Sequence, residues 1–337
     1  MPTYNCAPLM ARHLESAAKW ADLADEIVVV DSRSTDGTLD IIRDRLRHPN
    51  LRIIERDRGL YESWNEGISA TSGEWIYIST AGDTIEREHL MHMLDLGERG
   101  RADVVITAPR FVDEAGGRHK DPDWPPAQVI ADSGRDEPFI LSAEAGFLLT
   151  YLHFPCAILG SSASNLFRGN HLRARAFPED FKGAGDSVWI LRHAARSRLC
   201  FSPQVGSTFC VHPKEPVSVD KQVALTAKLL AEKARRLAWP GLNDQLVRVL
   251  ADEDKLIGEV RAIQQERRSL WNARPLTFVN LGSWVELNIA YLRKRAKLKA
   301  VRRRIRQEFL NKSAYQPVPP RDRRTLAPGE SSNTASQ

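Results

Sequence analysis

The chain has 337 residues, 42% of them hydrophobic and 27% charged, with a formal net charge of +5. That length and apolar content exclude a disordered tail and allow one large domain or two smaller ones. No run of eighteen apolar residues occurs and no basic stretch followed by an apolar one opens the chain, so neither a membrane span nor a secretory signal is read, and the expected location is the cytoplasm. Cys6, Cys156, Cys200 and Cys210 form no CxxC pair, which argues against a cysteine zinc site and fits reduced, mostly buried thiols.

The first residues, Met1-Pro2-Thr3-Tyr4-Asn5, have the character of a loop after a strand and pass directly into the helix-like LMARHLESAAKWA. A helix there normally returns from a preceding parallel strand by a right-handed crossover, so an extended segment is expected before Pro2. Either the start lies further upstream or the sheet lacks its opening strand. From Glu26 to Val112, short β-branched runs alternate with amphipathic segments: EIVVVD, TLDIIRDRLR, LRIIERD, GLYESWNEGISAT, EWIYIST, REHLMHMLDLGER and DVVITAPRFV. This alternation predicts an α/β fold with a parallel sheet covered on both faces.

Residues 113 to 150, with GG, DPDWPP and SGRDEP, read as a long irregular excursion of the kind that forms lids or binding walls. CAILGSSASNLFR, the helix-like GDSVWILRHAARS and the strand-like RLCFSPQVGSTFCVH follow. Beyond Ser218 the pattern becomes Leu, Ala, Arg and Glu-rich, so residues 219 to 311 are expected to form a helical extension, interrupted at Trp239-Pro240-Gly241 and near Pro275. Residues 312 to 337 lack periodicity and read as a disordered tail.

Two strand ends carry candidate chemistry. Asp31 closes EIVVVD at the carboxyl edge, where open α/β sheets bind ligands. A carboxylate there can accept hydrogen bonds from a nucleobase or ribose, with Asp36 and Gly37 shaping the turn and Thr38 capping the next helix. Asp83 follows EWIYIST through Ala81 and Gly82, and a hard cation such as Mg²⁺ or Mn²⁺ needs only one or two carboxylates when phosphates and water complete its shell. Taken alone, the Asp31 site is as readily a plain turn with capping residues, and Asp83 is more readily a cap for the helix REHLMHM.

The two turns are linked by RDRGLYESWNEGISATSGEWIYISTAGDTI, and together with PTYN and VVVDSRSTDGT this resembles family 2 glycosyltransferases of the GT-A fold. Within them it is most similar to a branch with motifs like GLYDAMNKGI and NAGD that builds bacterial surface polysaccharides of the colanic acid type. The likeness covers roughly residues 2 to 215. It implies a nucleotide-sugar-binding domain over residues 1 to 218, a divalent metal, a nucleotide-sugar donor, a glycan or lipid-linked acceptor, and inversion at the anomeric carbon. It also implies that Thr3, Tyr4 and Asp31 surround the base and ribose, that Arg58, Glu62 and Asn65 border the donor pocket, and that Asp83 and His212 hold the metal. Trp64 is expected to pack helix on sheet. Many members have a second acidic residue where Gly82 stands.

FPEDFKGAGDSVWILR resembles the family's acceptor-side segment, in which an acidic residue is the general base. Asp186 is the best match, Asp180 and Glu179 are competitors, and an N-cap on the following helix is the plain alternative for Asp186. His89 and His92 are read as surface and packing residues. Arg293, Lys294, Arg295, Lys297, Lys299, Arg302, Arg303, Arg304 and Arg306 crowd one stretch behind apolar Phe278, Leu281, Trp284, Val285, Leu287, Ile289 and Leu292. The default is a solvated basic helix, and the alternative is peripheral contact with the anionic inner face of a membrane. Nucleic acid is not read as a partner, because the run has no interleaved aromatic platform. The rival to an enzyme is a degenerate, non-catalytic transferase fold acting as an assembly partner.

Overall fold

The computed structural model describes residues 1–212, 218–238, 242–272 and 278–321. Three strands, β1 (Pro2–Thr3), β2 (Ile27–Asp31) and β3 (Leu51–Glu55), form a parallel sheet with β2 in the middle. Every residue of β2 is buried, as its unbroken Ile-Val-Val-Val run requires of a strand covered on both faces. The connections are α1 (Ala7–Ala18), which buries Met10, Leu14 and Ala17, and α2 (Thr38–Arg45), which buries Ile42. Asp36, and not Thr38, supplies the cap of α2, its Oδ1 accepting from the Thr38 amide at 3.1 Å. Gly37 holds the cap position at φ 89°, a left-handed state that costs glycine no Cβ clash.

The chain continues through α3 (Leu60–Ser69), β4 (Trp75–Ile76), β5 (Thr84–Ile85), α4 (Arg87–Gly100), β6 (Val104–Thr107) and β7 (Arg110–Val112). The stretch expected to be irregular holds α5 (Pro125–Ser133), β8 (Phe139–Leu141) and most of α6 (Ala143–His153), so that expectation is corrected. The prolines of DPDWPP open α5, where a missing N–H breaks no helical bond; the turn signal marked a helix start. Then come β9 (Asn165–Arg168), α7 (Gly169–Arg173), α8 (Gly185–His193), β10 (Leu199–Ser202) and β11 (Ser207–Cys210). RLCFSPQVGSTFCVH thus splits into two strands, which join different sheets.

The extension comprises α9 (Val219–Arg236), α10 (Asp244–Asn272) and α11 (Phe278–Phe309), and the chain then returns as β12 (Tyr315–Pro317). The second sheet has the order β12-β8-β10-β6-β9-β4, in which only β6 and β10 run parallel, and a third, small sheet has the order β5-β11-β7. The parallel arrangement therefore belongs to the first sheet, and the later sheets are mixed. The main core joins Phe139, Phe167, Phe177, Trp189 and Phe201, each nearly or wholly buried. At about 2 to 3 kcal/mol for each large apolar side chain removed from water, such a cluster dominates local stability.

β12 corrects the reading of everything past residue 311 as disordered. Tyr315 is buried edge-on against Phe139 with centroids 5.4 Å apart, and Arg135 Nη2 donates to the Tyr315 carbonyl at 2.6 Å. Three residues ending in proline hold their place through pairing with β8, not through their own periodicity. The interruptions at residues 239–241 and Pro275, and the tail after residue 321, lie outside the described residues. Among those described, no helix is long and apolar enough to cross a membrane.

Candidate active site

Asp31 ends β2 with its carboxylate wholly buried. Oδ1 accepts from Thr3 Oγ1 at 2.8 Å and from Ser34 Oγ at 2.7 Å, and Oδ2 accepts from the Ser34 amide at 2.7 Å. Three of its roughly four acceptor positions are thus spent on the chain itself. Asp31 shapes the site by tying the end of β1 to the turn after β2. Next to Thr3, Tyr4 is 40% exposed, and the Arg58 guanidinium lies 4.4 Å over its ring, a cation–π contact. The fold therefore brings together Thr3, Tyr4, Asp31 and Arg58.

Glu62 and Asn65 follow on α3. Asn65 faces away from these residues and bonds elsewhere. Its Nδ2 donates to the Phe177 carbonyl (2.9 Å) and to Glu179 Oε1 (3.0 Å), while its Oδ1 accepts from the Phe177 amide (2.8 Å). It latches α3 to the segment before α8. Trp64 packs against Tyr61 and Phe177, with centroid distances of 5.3 and 5.2 Å.

Asp83 does not cap the helix that follows it, since the cap position of α4 is Glu86. Its Oδ1 accepts from the Cys210 amide at 2.8 Å, and its Oδ2 accepts from Thr80 Oγ1 and from Ser161 Oγ at 3.4 Å. Burial pushes the carboxyl up to about 6, while the Thr80 and Cys210 bonds and the nearby His212 pull the other way. Gly82 stands at φ +86°, and a Cβ there would lie 3.2 Å from the Cys210 Cβ and 3.3 Å from Leu9 Cδ1. An acidic residue at position 82 is therefore disfavoured by backbone conformation and by crowding together. The Gly82 carbonyl accepts from Arg12 Nη2 at 2.7 Å.

His212, beyond the end of β11, is partly exposed, with Nδ1 3.3 Å from Glu114 Oε1 and 4.0 Å from Cys210 Sγ. Among the described residues no three acidic, histidine or cysteine side chains converge on one point. A hard dication that retains water and phosphate oxygens needs fewer ligands, and Asp83 keeps one acceptor position on Oδ1 beside an imidazole. The donor set present therefore suits a metal shared with a diphosphate.

On α8, the cap position is Ala184, and Asp186 lies inside the first turn. Asp186 Oδ1 accepts from Tyr61 Oη at 3.0 Å, from the Ser187 amide at 2.7 Å and from Ser187 Oγ at 3.3 Å. Desolvation raises this carboxyl above the usual range, against those bonds. Its competitors are otherwise engaged. Asp180 is ion-paired with Lys228 of α9, which lowers its carboxyl, and Glu179 is bound by Asn65.

The sequence reading missed the residues that hold these carboxylates. His13 is buried in α1, with Nδ1 2.9 Å from the Asp83 carbonyl and Nε2 3.2 Å from Ser79 Oγ, and burial lowers it to about 4, which keeps it neutral. Arg12, Thr80, Ser161 and Cys210 complete the support of the Asp83 turn, and Tyr61 supports Asp186. His13 and Cys210 do fall on the buried faces of their elements, which was the available signal.

Residues 1–163 match the family model described as Glycosyl transferase family 2. Residues 1–163 are a family 2 glycosyltransferase domain. Over 105 residues the chain is 31% identical to the succinoglycan biosynthesis protein ExoO of Rhizobium meliloti (strain 1021), covering 31% of this chain and 30% of that protein. Over 112 residues it is 34% identical to a PGL/p-HBAD biosynthesis glycosyltransferase of Mycobacterium bovis (strain BCG / Pasteur 1173P2), covering 31% of this chain and 43% of that protein. The match thus spans less than half the length of these curated relatives. Among solved structures, S. aureus TarS 1–349 in complex with UDP-GlcNAc superposes with a TM-score of 0.56 at 17% identity, covering 89% of this chain and 82% of that one. That likeness shows the GT-A fold. Asp31, Arg58 and Asp83 lie within the matched family 2 domain, whereas Asp186 and His212 lie beyond it.

Proposed function

We propose that the protein moves a sugar from a nucleotide-sugar donor to an acceptor hydroxyl, with inversion, as a step in surface-glycan assembly. The observation that carries this reading is the state of Asp186: desolvated, raised in pKa and held by Tyr61, while Asp180 and Glu179 are tied to other side chains. A general base works best with a pKa drawn toward the operating pH. The bonds from Tyr61 and Ser187 fall on Oδ1, which leaves Oδ2 to take the proton of the attacking hydroxyl. As that proton moves, the acceptor oxygen bonds to the anomeric carbon, the carbon–oxygen bond to the diphosphate breaks, and the nucleoside diphosphate leaves.

On the donor side, Tyr4 and Arg58 offer a base and its phosphates a stacked, cationic surface, and Asp31 fixes the turn beneath it. Asp83 and His212 would hold Mg²⁺ or Mn²⁺. When bound, such an ion neutralises charge that builds on the leaving diphosphate. UDP and UDP-GlcNAc, ligands of the similarly folded TarS, are the first donor probes. A lipid-linked glycan is the acceptor class we favour, since α11 exposes Val285, Ile289 and Leu292 at helical spacing ahead of its basic stretch.

The test is donor turnover with manganese, comparing the wild type with Asp186→Asn. Loss of a positioned base should lower kcat by about 10²- to 10⁴-fold with donor affinity nearly unchanged. A near-wild-type rate would end the assignment of Asp186. A wild type that neither turns over nor binds any nucleotide sugar would favour the non-catalytic assembly partner.

A further inference from the structure

Glu114 belongs to no motif read in the sequence, yet the strand register delivers it to a residue that does. β7 and β11 run parallel with Thr208 beside Arg110 and Cys210 beside Val112, and the Val211 amide carries the ladder on to the Val112 carbonyl at 2.8 Å. Counted on by two residues, this register sets His212 beside Glu114, and their side chains meet there, with Nδ1 3.3 Å from Oε1. Both side chains are largely exposed, so the pair contributes little to stability. The backbone around it is nevertheless closely held.

Glu114 stands in a tight turn. The Gly117 amide donates to Asp113 Oδ1 at 2.7 Å, the Gly116 amide to the Asp113 carbonyl at 2.9 Å, and the Asp113 amide to the Gly117 carbonyl at 2.9 Å. Arg12 ties this turn to the one that carries Asp83, its Nη1 donating to the Asp113 carbonyl at 3.3 Å and its Nη2 to the Gly82 carbonyl at 2.7 Å. Gly116, at φ +86°, leaves room for that guanidinium, since a Cβ there would stand 2.8 Å from Nη1. One side chain of α1 thus fixes the Glu114 and Asp83 turns relative to each other. A solvated ion pair does not require such a strap, whereas groups that serve one ligand must be held in register.

We propose that Glu114 is a positioning residue of the donor site, accepting the Nδ1 proton of His212 so that Nε2 presents its lone pair to a divalent cation. A neutral imidazole carries one ring proton, so the nitrogen that donates decides which nitrogen can ligate. Among the described residues the hydrogen bonds of His212 fall on Nδ1 and none on Nε2. Cys210 Sγ, 4.0 Å from Nδ1, donates to the Asp113 carbonyl at 3.7 Å, which leaves the carboxylate as the stronger acceptor. The role rests on the reading of His212 as a ligand of the donor-site cation, and the experiment separates the two.

Wild type, His212→Ala, Glu114→Ala and Glu114→Gln are compared. In alkaline, metal-free buffer, long-range nitrogen–proton NMR reads the His212 tautomer, the signals that vanish in His212→Ala being its own. Calorimetric titration of Mn²⁺ in the presence of excess UDP reads cation affinity. The wild type should carry the proton on Nδ1. Glu114→Ala should shift it toward Nε2 and weaken Mn²⁺ binding by about tenfold or more, in the direction of His212→Ala. Glu114→Gln keeps an oxygen acceptor and should hold both readings near wild type. A wild-type proton on Nε2, or Mn²⁺ affinity kept by Glu114→Ala but lost by His212→Ala, would overturn the positioning role alone. Glutamine as weak as alanine would assign the effect to the charge of Glu114 and overturn it likewise. Mn²⁺ affinity untouched by His212→Ala would remove His212 from the cation site, and the role of Glu114 with it.

Discussion

Asp83 sets the cost of burying a charge against three donors and a neighbouring imidazole, and burial prevails, with the carboxyl pushed from 3.8 to about 6. The folded protein then binds this proton more tightly than the unfolded chain does. The stability it contributes is full below pH about 4 and is lost as pH rises through 6, an effect of about 3 kcal/mol. In metal-free buffer, Asp83→Asn should lack that dependence. Urea unfolding of both proteins from pH 4 to 7 checks it, and parallel stability curves would refute it. At Asp186, Tyr61→Phe keeps the stacking on Phe177 but removes the hydroxyl that lowers the carboxyl. The acid limb of the kcat profile should then move up by about one pH unit, as expected for a lost hydrogen bond to a charged group. An unmoved limb with unchanged kcat would separate Tyr61 from the base. Asp31 and Asp83 were legible in the sequence because the first closes an apolar run and the second lies in the turn that follows one. The residues that hold Asp83 were not: His13 and Cys210 are 70 and 127 positions away, and no local pattern encodes that meeting.

At the scale of elements, strands and helices with one buried face were read where they fall, and those whose signal comes from neighbours were not. α6 buries Phe147, Leu148, Leu149 and Tyr151 around most of its circumference, so it lacks the amphipathic period by which a surface helix is recognised. β12 is invisible for a different reason, since Tyr-Gln-Pro becomes a strand only beside β8. Its anchor can be tested. Tyr315→Ala removes a buried ring from the contact with Phe139 and should cost about 3 kcal/mol in urea unfolding. Tyr315→Phe should cost far less. A loss below about 1 kcal/mol for the alanine variant would mean that β12 adds little to the sheet.

Across the whole molecule, buried charge joins the helical extension to α8, beyond the family 2 match. Glu232 of α9 is 1% exposed and receives Arg192 of α8 together with Arg235 and Arg236. Its carboxyl is lowered to about 2 despite desolvation, chiefly by Arg192. On α11, Lys294, Arg302, Arg304 and Arg306 pair with carboxylates, whereas Val285, Ile289, Leu292, Lys299 and Arg303 share one exposed helical face. If that face meets anionic lipid, binding to phosphatidylserine vesicles should fall with rising salt and with Lys299→Gln/Arg303→Gln, at about 1 kcal/mol per charge near the surface. Absence of binding at low salt would leave the basic helix simply solvated.

The position of β12 has a temporal side. The outer edge of β8 is covered by a strand that leaves the ribosome only after all of α9, α10 and α11. At ~5 to 20 residues per second, the interval from residue 142 to 314 lasts on the order of ten to thirty seconds. Throughout it, β8 offers a half-made ladder on which a neighbouring nascent chain can pair. Crowded polysomes and rapid induction therefore favour aggregation of this protein at a stage when its donor-side residues are already folded, and slow synthesis or a holding chaperone favours recovery.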